Sequence, residues 1–269
     1  MGFVPQPGTL TGIGIGPGDP DLITLKALKV LQAAPVVAFP QGRQGHLGVA
    51  QRIVTPHLQP HQRPLPLDFP FVVEDAQLQA AWQRAAEQVW AVLKTGQDVV
   101  FVCEGDLSFY GTFTYLADAL HLTHPDVPIH RIPGVCSPVA AVSALGIPLT
   151  VQAEKLVVLP AFYGIDDLEQ TLDWADVVVL MKVSSVYASV WEVLKRRNLL
   201  AQSYVIVRAS QPDQVIYRDL DAHHDLDLPY FSLMVIRVGK AWPLVAQADG
   251  IPHQTAPSRI PKGGQDSLG

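Results

Sequence analysis

The residues best suited to ligand chemistry lie in two glycine-containing turns. Four of the nine residues of Gly12–Pro20 are glycines, which permit positive φ angles and let a ligand approach the main chain closely. The segment Glu104–Thr112 follows an apolar run and places two carboxylates beside Gly105. Such carboxylates accept hydrogen bonds from ligand hydroxyl groups, and they also cap helices and turns.

Two further segments follow apolar runs in the same way. Ile132–Pro138 contains the small polar residues Cys136 and Ser137, and Val179–Ser184 has Val207–Gln214 after it in the chain. Each alone is typical of an ordinary turn. Because α/β sheets bind ligands beyond the carboxyl ends of their strands, the four places together predict a binding edge.

A dinucleotide-binding motif does not fit the first turn. Counting G-x-G-x-x-G from Gly12 puts Pro17 at the third glycine, and counting from Gly14 puts Asp19 there. The second predicted strand ends at Pro40 without the acid that would bind a ribose. The spacing therefore gives little support to a nucleotide-cofactor enzyme of that type.

Composition narrows the class of protein. The 269 residues are 48% hydrophobic, enough for a substantial core, and a formal net charge of −6 disfavours a nucleic-acid partner. No signal sequence and no apolar run of membrane-spanning length is visible, so we expect a soluble, cytoplasmic protein without membrane association. Two cysteines make no disulfide framework, and the nine histidines lack strong metal-ligand spacing, so we predict no metal in the protein itself.

Short β-branched runs alternate with amphipathic stretches, which predicts an α/β fold with parallel strands joined by helices. In the first part, Asp19 is expected to cap a continuous helix from Pro20 to about Ala34, and the proline-rich stretch Pro56–Pro70 is expected to be loop. The remaining predicted elements of this part are strands 9–15, 36–39, 98–103 and 127–132 and helices 75–94 and 112–120. We take 9–132 as the first domain.

The second predicted domain is 133–242. Ser137 begins a helix that ends near Leu145, and Ser184 is expected to cap a helix that reaches Arg196. Its predicted strands are 156–159, 177–181, 204–208 and 230–238. The proline- and glycine-containing stretch 243–269 has few apolar residues, so we expect a disordered tail.

Taken in this order, the four places resemble the tetrapyrrole methylase family over roughly residues 9–240. Members of this family use S-adenosylmethionine to methylate uroporphyrinogen and corrin precursors. The resemblance implies two α/β domains with a cofactor cleft between them and a homodimer. Within the family, the sequence is most similar to the branch that methylates C-20 of precorrin-2 or cobalt-factor II, on the segments Trp82–Ala86, Gly105–Thr112, Leu180–Val183, Arg208–Asp213 and Tyr230–Leu233.

The resemblance also implies a set of residues around S-adenosylmethionine, many of them acting through the main chain. They are Pro17, Glu104, Gly105, Asp106, Phe109, Cys136, Ser137, Met181 and Ala209. Small residues in this set leave room near the main chain, and Phe109 and Met181 offer apolar surface.

Substrate residues and a catalytic base are harder to assign. Arg43 is our candidate for pairing with a substrate carboxylate, although an arginine in such a loop is more often a solvated surface residue. Relatives that methylate uroporphyrinogen carry an aspartate after the second strand where this sequence has Pro40, so that role cannot be transferred. Asp106 is the nearest acid, but an aspartate in such a turn more often caps the turn or binds a ribose.

Two other kinds of function stay open at this point. One keeps the fold but transfers the methyl group to another tetrapyrrole carbon or to RNA. The other is a cobalt chelatase or a tetrapyrrole-binding carrier that uses histidines and performs no methylation. Binding of S-adenosylmethionine separates the first from the second.

Overall fold

The computed structural model describes residues 6–42, 47–70, 74–160 and 164–239. The chain divides into two compact units, one running to Ala140 and including Ser210–Pro212, the other formed by Ala141–Ala209 and the chain from Asp213 onward. Each unit contains one five-stranded sheet. Compactness does not test where an independently folding domain ends, so the limits 9–132 and 133–242 stay predictions. The predicted tail 243–269 lies outside the described residues.

The first sheet is parallel throughout, in the order β3-β2-β4-β1-β5. Its strands are β1 (Leu10–Gly14), β2 (Val36–Pro40), β3 (Arg63–Leu67), β4 (Val99–Cys103) and β5 (Ile129–Ile132). Every residue of β4, which lies at the centre, is buried. A parallel strand covered on both faces needs such a continuous apolar sequence, which is why this strand was predictable.

Helices cover the first sheet and build its two apolar clusters. They are α1 (Leu25–Ala33), α2 (Val49–Val54), α3 (Asp75–Leu93) and α4 (Phe113–Thr123), and α5 (Ser137–Leu145) runs from the first unit into the sequence of the second. One cluster lies against α3 and α4, the other against α1 and α2. The predicted helices 75–94 and 112–120 are confirmed within a few residues.

The predicted continuous helix from Pro20 is wrong. Asp19 accepts a hydrogen bond from the N–H of Asp21 at 2.9 Å, but it caps only a 3-10 turn, Pro20–Leu22. The chain then becomes extended at Ile23, and Thr24 caps α1 by accepting from Ala27 N–H at 3.2 Å. Two capping residues close together in sequence therefore give two short elements rather than one helix.

The stretch predicted as loop contains the edge strand β3. Its prolines, Pro64 and Pro66, alternate with residues that pair with β2: Arg63 N–H donates to Pro35 O at 2.9 Å, and Leu67 O accepts from Gln41 N–H at 2.8 Å. At both prolines, the nitrogen that lacks a hydrogen therefore faces away from β2, where no ladder hydrogen bond is needed. An edge strand tolerates proline in that arrangement, which the composition of the stretch concealed.

The second sheet is mixed, in the order β6-β7-β10-β8-β9. Its strands are β6 (Leu156–Leu159), β7 (Val177–Met181), β8 (Ser203–Val207), β9 (Val215–Tyr217) and β10 (Ser232–Arg237), and its helices are α6 (Ile165–Leu172) and α7 (Tyr187–Arg196). Only β6 and β7 are parallel to each other, so the prediction of parallel strands is wrong for the rest of this sheet. No helix separates β8 from β10, and without a crossover neighbouring strands pair antiparallel.

The start of α7 differs from its prediction. Ser184 lies in a 3-10 turn, Val183–Ser185, and the residue at the cap of α7 is Val186, which makes no side-chain cap hydrogen bond. The core of this unit forms against both faces of its sheet and includes Tyr187 and Trp191. Their polar atoms donate to carbonyl groups of His223 at 2.5 Å and Leu220 at 2.7 Å. These bonds fasten the segment after β9 to α7.

Candidate cofactor site

The carboxyl ends of β4, β1 and β5 lie side by side in the first sheet. The turns that follow β1 and β4 are joined by main-chain hydrogen bonds: Gly105 N–H donates to Gly16 O at 2.8 Å, and Gly16 N–H donates to Gly105 O at 3.2 Å. Both glycines have positive φ angles, +81° at Gly16 and +66° at Gly105. The two turns singled out in the sequence are therefore one paired structure.

Three main-chain segments meet beside this pair at a glycine junction formed by Gly14, Gly105 and Gly134. A Cβ on Gly14 would lie 2.6 Å from Gly134 N, and a Cβ on Gly134 would lie 2.4 Å from Gly105 O. Close packing of the main chain, rather than room for a ligand, therefore requires glycine at positions 14 and 134. At Gly12, likewise, the ring of Phe113 occupies the space a side chain would need.

Asp106 ties the turn after β4 to the turn after β5. Its Oδ2 accepts from Gly134 N–H at 2.7 Å, and its Oδ1 accepts from Ser108 N–H at 2.8 Å and from the Ser108 hydroxyl. Burial by itself would raise the pKa of this carboxyl, but the hydrogen bonds from Ser108 and Gly134 outweigh it and hold the pKa below its usual value. Asp106 is thus an ionised carboxylate with both oxygens engaged.

Glu104 has a partner on a different element. Its Oε1 accepts from Ala50 N–H, in the first turn of α2, at 3.0 Å. The N-terminal N–H groups of a helix favour a negative charge, so this contact stabilises the start of α2. Cys103, just before it, is buried, and burial together with the charge of Glu104 raises the pKa of its thiol to about 12. Cys103 is therefore a neutral, unreactive thiol.

The remaining predicted residues of the first unit are half-buried around these turns. Pro17 follows Gly16, and Asp19 N–H donates to Ser210 Oγ at 3.1 Å. Cys136 and Ser137 lie at the start of α5, where a Cβ on Gly105 would lie 3.8 Å from Cys136 Cα. The structure thus brings Gly105, Asp106, Cys136 and Ser137 together. Phe109 lies three residues beyond Asp106 with its ring edge-on to Tyr110.

In the second unit, the two predicted cofactor contacts, Met181 and Ala209, differ in whether their side chains are available to a ligand. Met181 is the half-buried last residue of β7 and lies opposite Leu233 on β10. Ala209 follows β8 and is 6% exposed, packed in the same apolar cluster as Leu233. Its methyl group belongs to the core, so only the main chain of Ala209 is suited to a ligand. Arg43, the predicted substrate residue, lies outside the described residues.

Three residues near these strand ends have a left-handed backbone that the sequence did not predict. Lys182 follows β7 with φ +54°, and Arg208 and Ser210 follow β8 with φ +49° and +64°. Non-glycine residues seldom adopt this conformation, and it is concentrated at functional sites. A single sequence does not show that a lysine or an arginine adopts the left-handed conformation. The only sequence feature that pointed to Lys182 and Arg208 was their position directly after apolar runs.

A cavity of about 340 Å³ lies elsewhere in the second unit, lined by 184–189 and 224–227. It contains none of the predicted site residues. Its acidic side chains, Asp225 and Asp227, oppose the preference of the nearby α7 N-terminus for anions. In the portions of the chain that are described, no group of three or more histidine, cysteine or acidic side chains is arranged to hold a metal.

Comparison with known proteins assigns the chain to a family. Residues 9–221 match the model of the tetrapyrrole (corrin/porphyrin) methylases. The chain belongs to this family. Among its relatives, the cobalamin biosynthesis protein CobIJ of Mycobacterium tuberculosis is 33% identical over 241 residues, which cover 87% of this chain and 46% of that protein. The chain thus spans about half the length of this relative.

Another tetrapyrrole methylase matches over nearly its whole length. The cobalt-precorrin-2 C(20)-methyltransferase of Salmonella typhimurium is 30% identical over 236 residues, which cover 87% of this chain and 98% of that enzyme. Among solved structures, the uroporphyrin-III C-methyltransferase of Thermus thermophilus, complexed with S-adenosylhomocysteine, superposes with a TM-score of 0.61. It is 23% identical and covers 87% of this chain and 98% of that one, a likeness that concerns the fold.

Proposed function

We propose that the chain is an S-adenosylmethionine-dependent C-methyltransferase that methylates C-20 of precorrin-2 or cobalt-factor II in cobalamin biosynthesis. The observation that carries this proposal is the match to the Salmonella C(20)-methyltransferase over 98% of that enzyme's length. The half-length match to CobIJ is consistent with it, because that protein also acts in cobalamin biosynthesis by its name.

The paired turns of the first unit fit a cofactor held mainly by the main chain. Gly105 presents its backbone without a side chain, and its missing Cβ faces the start of α5 at Cys136 and Ser137. Glu104 and Asp106 have internal partners, so their side chains shape the turn. Pro17 and Phe109 add half-buried apolar surface, and Met181 and Ala209 are further proposed contacts taken from the family resemblance.

The work proposed for these residues is to position reactants and exclude water. S-adenosylmethionine, when bound, supplies a methyl group that its sulfonium has already activated. The protein then has to hold an electron-rich carbon in line with that methyl group, which is a matter of geometry more than of acid-base chemistry. The two hydrogen bonds between Gly16 and Gly105 support a surface suited to such positioning.

Asp106 is poorly suited to be the base that removes a proton from the methylated carbon. A general base works best with a pKa near the operating pH, whereas hydrogen bonds hold the pKa of Asp106 below that of an ordinary aspartate. Position 40, at the end of β2, is Pro40, which has no proton-accepting group. We therefore assign no catalytic base, and Asp106 is proposed to position the cofactor turn.

The decisive experiment incubates the protein with labelled S-adenosylmethionine and either precorrin-2, cobalt-factor II or uroporphyrinogen. We expect one methyl group to be added to precorrin-2 or cobalt-factor II, and NMR of the product should place it on C-20. Methyl gain on uroporphyrinogen alone would contradict the proposal. Calorimetry that shows cobalt binding without S-adenosylmethionine binding would instead favour a chelatase or carrier.

We further propose that the enzyme is a cytoplasmic homodimer, on the basis of the family resemblance. In the regions the structure covers, no helix has both the length and the apolar character to cross a bilayer. Light scattering coupled to gel filtration tests the dimer: we expect a mass twice the 29.2 kDa of the chain. A mass equal to that of one chain would contradict it.

A further inference from the structure

Lys182 has an unusual combination of backbone and side-chain geometry. It follows β7 with φ 54° and ψ 42°, in the left-handed region that lysine rarely occupies. Its ammonium nitrogen lies 4.9 Å from the ring centroid of Tyr230, and Tyr230 is 43% exposed. Lys182 thus combines a costly main-chain conformation with an ammonium group placed over the ring of a partly exposed tyrosine.

The charge of Lys182 is not matched by an acid among the residues that can be described. None of the ion pairs within 4.0 Å there involves Lys182. Arg208, which follows β8 with a similarly left-handed backbone, differs in this respect because it pairs with Asp213 at 2.8 Å. Of these two cations, Lys182 is the one whose ammonium can still take a carboxylate.

Strand register places these cations on either side of the start of β10. Leu233 lies opposite Met181 on one side, and Ser232 lies opposite Val207 on the other. Two strand spacings separate β7 from β8, so Lys182 and Arg208 have main chains about 10 Å apart. Arg208 N–H donates to Phe231 O at 2.7 Å, which fixes the approach to β10.

Two aromatic rings complete this basic–aromatic edge, which consists of Lys182, Arg208, Tyr230 and Phe231. Tyr230 and Phe231 pack edge to face at 5.2 Å and are 43% and 40% exposed. Exposed neighbouring aromatic rings beside cations suit a flat conjugated molecule that carries carboxylates, because rings contact its apolar surface and cations pair with its acids. A tetrapyrrole with acidic side chains has this chemistry.

We infer that the basic–aromatic edge of the second unit is a substrate-binding surface, with Lys182 pairing with a side-chain carboxylate of the tetrapyrrole and Tyr230 contacting the macrocycle. This inference rests on the proposed function for the class of substrate. It assigns Lys182 to substrate affinity and specificity, and gives it no part in cofactor binding or proton transfer.

The test compares Lys182→Gln with the matched variant Lys195→Gln. Lys195 also holds its ammonium 4.9 Å from an aromatic ring, that of Trp191, but it lies in the last turn of α7. Cobalt-factor II is titrated by absorbance and S-adenosylhomocysteine by calorimetry. We expect Lys182→Gln to weaken cobalt-factor II binding about tenfold or more, as the loss of a charged hydrogen bond does. S-adenosylhomocysteine affinity should stay unchanged, and Lys195→Gln should alter neither.

Two further variants keep the test independent of folding. Lys182→Gly relieves the left-handed backbone, so it should be at least as stable as wild type and still bind cobalt-factor II as weakly as Lys182→Gln does. Lys182→Arg should restore most of the affinity. Unchanged cobalt-factor II affinity in Lys182→Gln, or an equal loss in Lys195→Gln, would overturn the inference.

Failure of this inference can be distinguished from failure of the proposed C-20 methylation. If the wild type binds cobalt-factor II but methylates a carbon other than C-20, the proposed reaction fails, and the ratio of Lys182→Gln to wild-type affinity still decides the inference. If the wild type binds neither cobalt-factor II nor precorrin-2 in the presence of S-adenosylhomocysteine, both are overturned.

Discussion

At the scale of single residues, the side chains chosen for ligand chemistry are largely engaged within the chain. Glu104 binds a main-chain N–H 54 residues earlier, and Asp106 binds one 28 residues later. The sequence indicated correctly that acids follow β4. It could not indicate their partners, because those contacts form only when distant segments meet in the folded sheet.

Replacing Asp106 by asparagine tests its role in joining two turns. The amide keeps the shape but loses one acceptor oxygen, and its NH2 group would oppose either the Gly134 or the Ser108 N–H. We expect Asp106→Asn to lower the free energy of unfolding by about 1–3 kcal/mol, measured by urea denaturation. The control is Asp98→Asn, whose exposed carboxylate accepts from Thr9 N–H at 2.7 Å and should contribute less. Equal losses in both variants would contradict the role given to Asp106.

The same residue predicts a pH dependence. Because its folded-state pKa is lowered, the stabilisation by Asp106 is fully present above the usual aspartate pKa of 3.8 and is lost as the pH falls through the folded-state value. The stability difference between wild type and Asp106→Asn should therefore shrink below about pH 4. Urea denaturation at neutral pH and at progressively lower pH measures it, and a constant difference would contradict the lowered pKa.

At the scale of elements, strands with strong apolar runs were predictable and weakly apolar or short elements were not. The predictions for β6 and β7 agree with the structure at both ends. The short elements α2, with six residues, and β9, with three, were not predicted, because so few residues show no clear period. β3 was missed because its prolines are tolerated only at an edge, and edge position is a property of the whole sheet.

A buried ion pair fastens the segment before β6 to β10. Arg237 is 1% exposed at its side chain, pairs with Glu154, and donates to Pro148 O at 3.1 Å. Glu154→Gln would leave the guanidinium buried without its counter-charge, so we expect a loss of about 3–5 kcal/mol in the free energy of unfolding. Asp173→Asn, which breaks an exposed pair with Arg197, should cost about 1 kcal/mol or less. Denaturant titration of both variants decides this, and a loss from Glu154→Gln no larger than that from Asp173→Asn would contradict it.

At the scale of the whole molecule, the fold class and the family were accessible from sequence because they depend on the order of strand-end segments. The mixed second sheet was not, since antiparallel pairing depends on how a connection folds back rather than on apolar pattern. The net charge likewise did not predict where the cations lie. The chain carries −6 overall, yet Lys182 and Arg208 lie on either side of the start of β10. A global balance does not report such local placement.

A thermal-shift experiment on the whole protein tests the proposed cofactor site at Gly105. S-adenosylhomocysteine at about 100 times its Kd should stabilise the wild type by about 2.7 kcal/mol and raise its Tm. Gly105→Ala adds a methyl group facing Cys136, so we expect at least about tenfold weaker binding. The control is Gly96→Ala, since Gly96 also has a positive φ, +84°, and leaves similar room for a Cβ.

Both alanine variants should lose about 1–2 kcal/mol of stability from the left-handed backbone alone. At the same ligand concentration, only Gly105→Ala should also show a rise in Tm with S-adenosylhomocysteine that is about half that of the wild type or less. If the two variants respond to the ligand equally, Gly105 does not lie at the cofactor site.

The glycine junction affects how the mutational tolerance of this protein should be interpreted. In a saturation library, positions 14 and 134 should reject every larger residue, since any Cβ there would overlap main-chain atoms less than 3 Å away. Such intolerance would resemble that of a ligand contact while reporting only the packing of three backbones. Genuine ligand positions should instead be sought where variants fold normally and lose affinity.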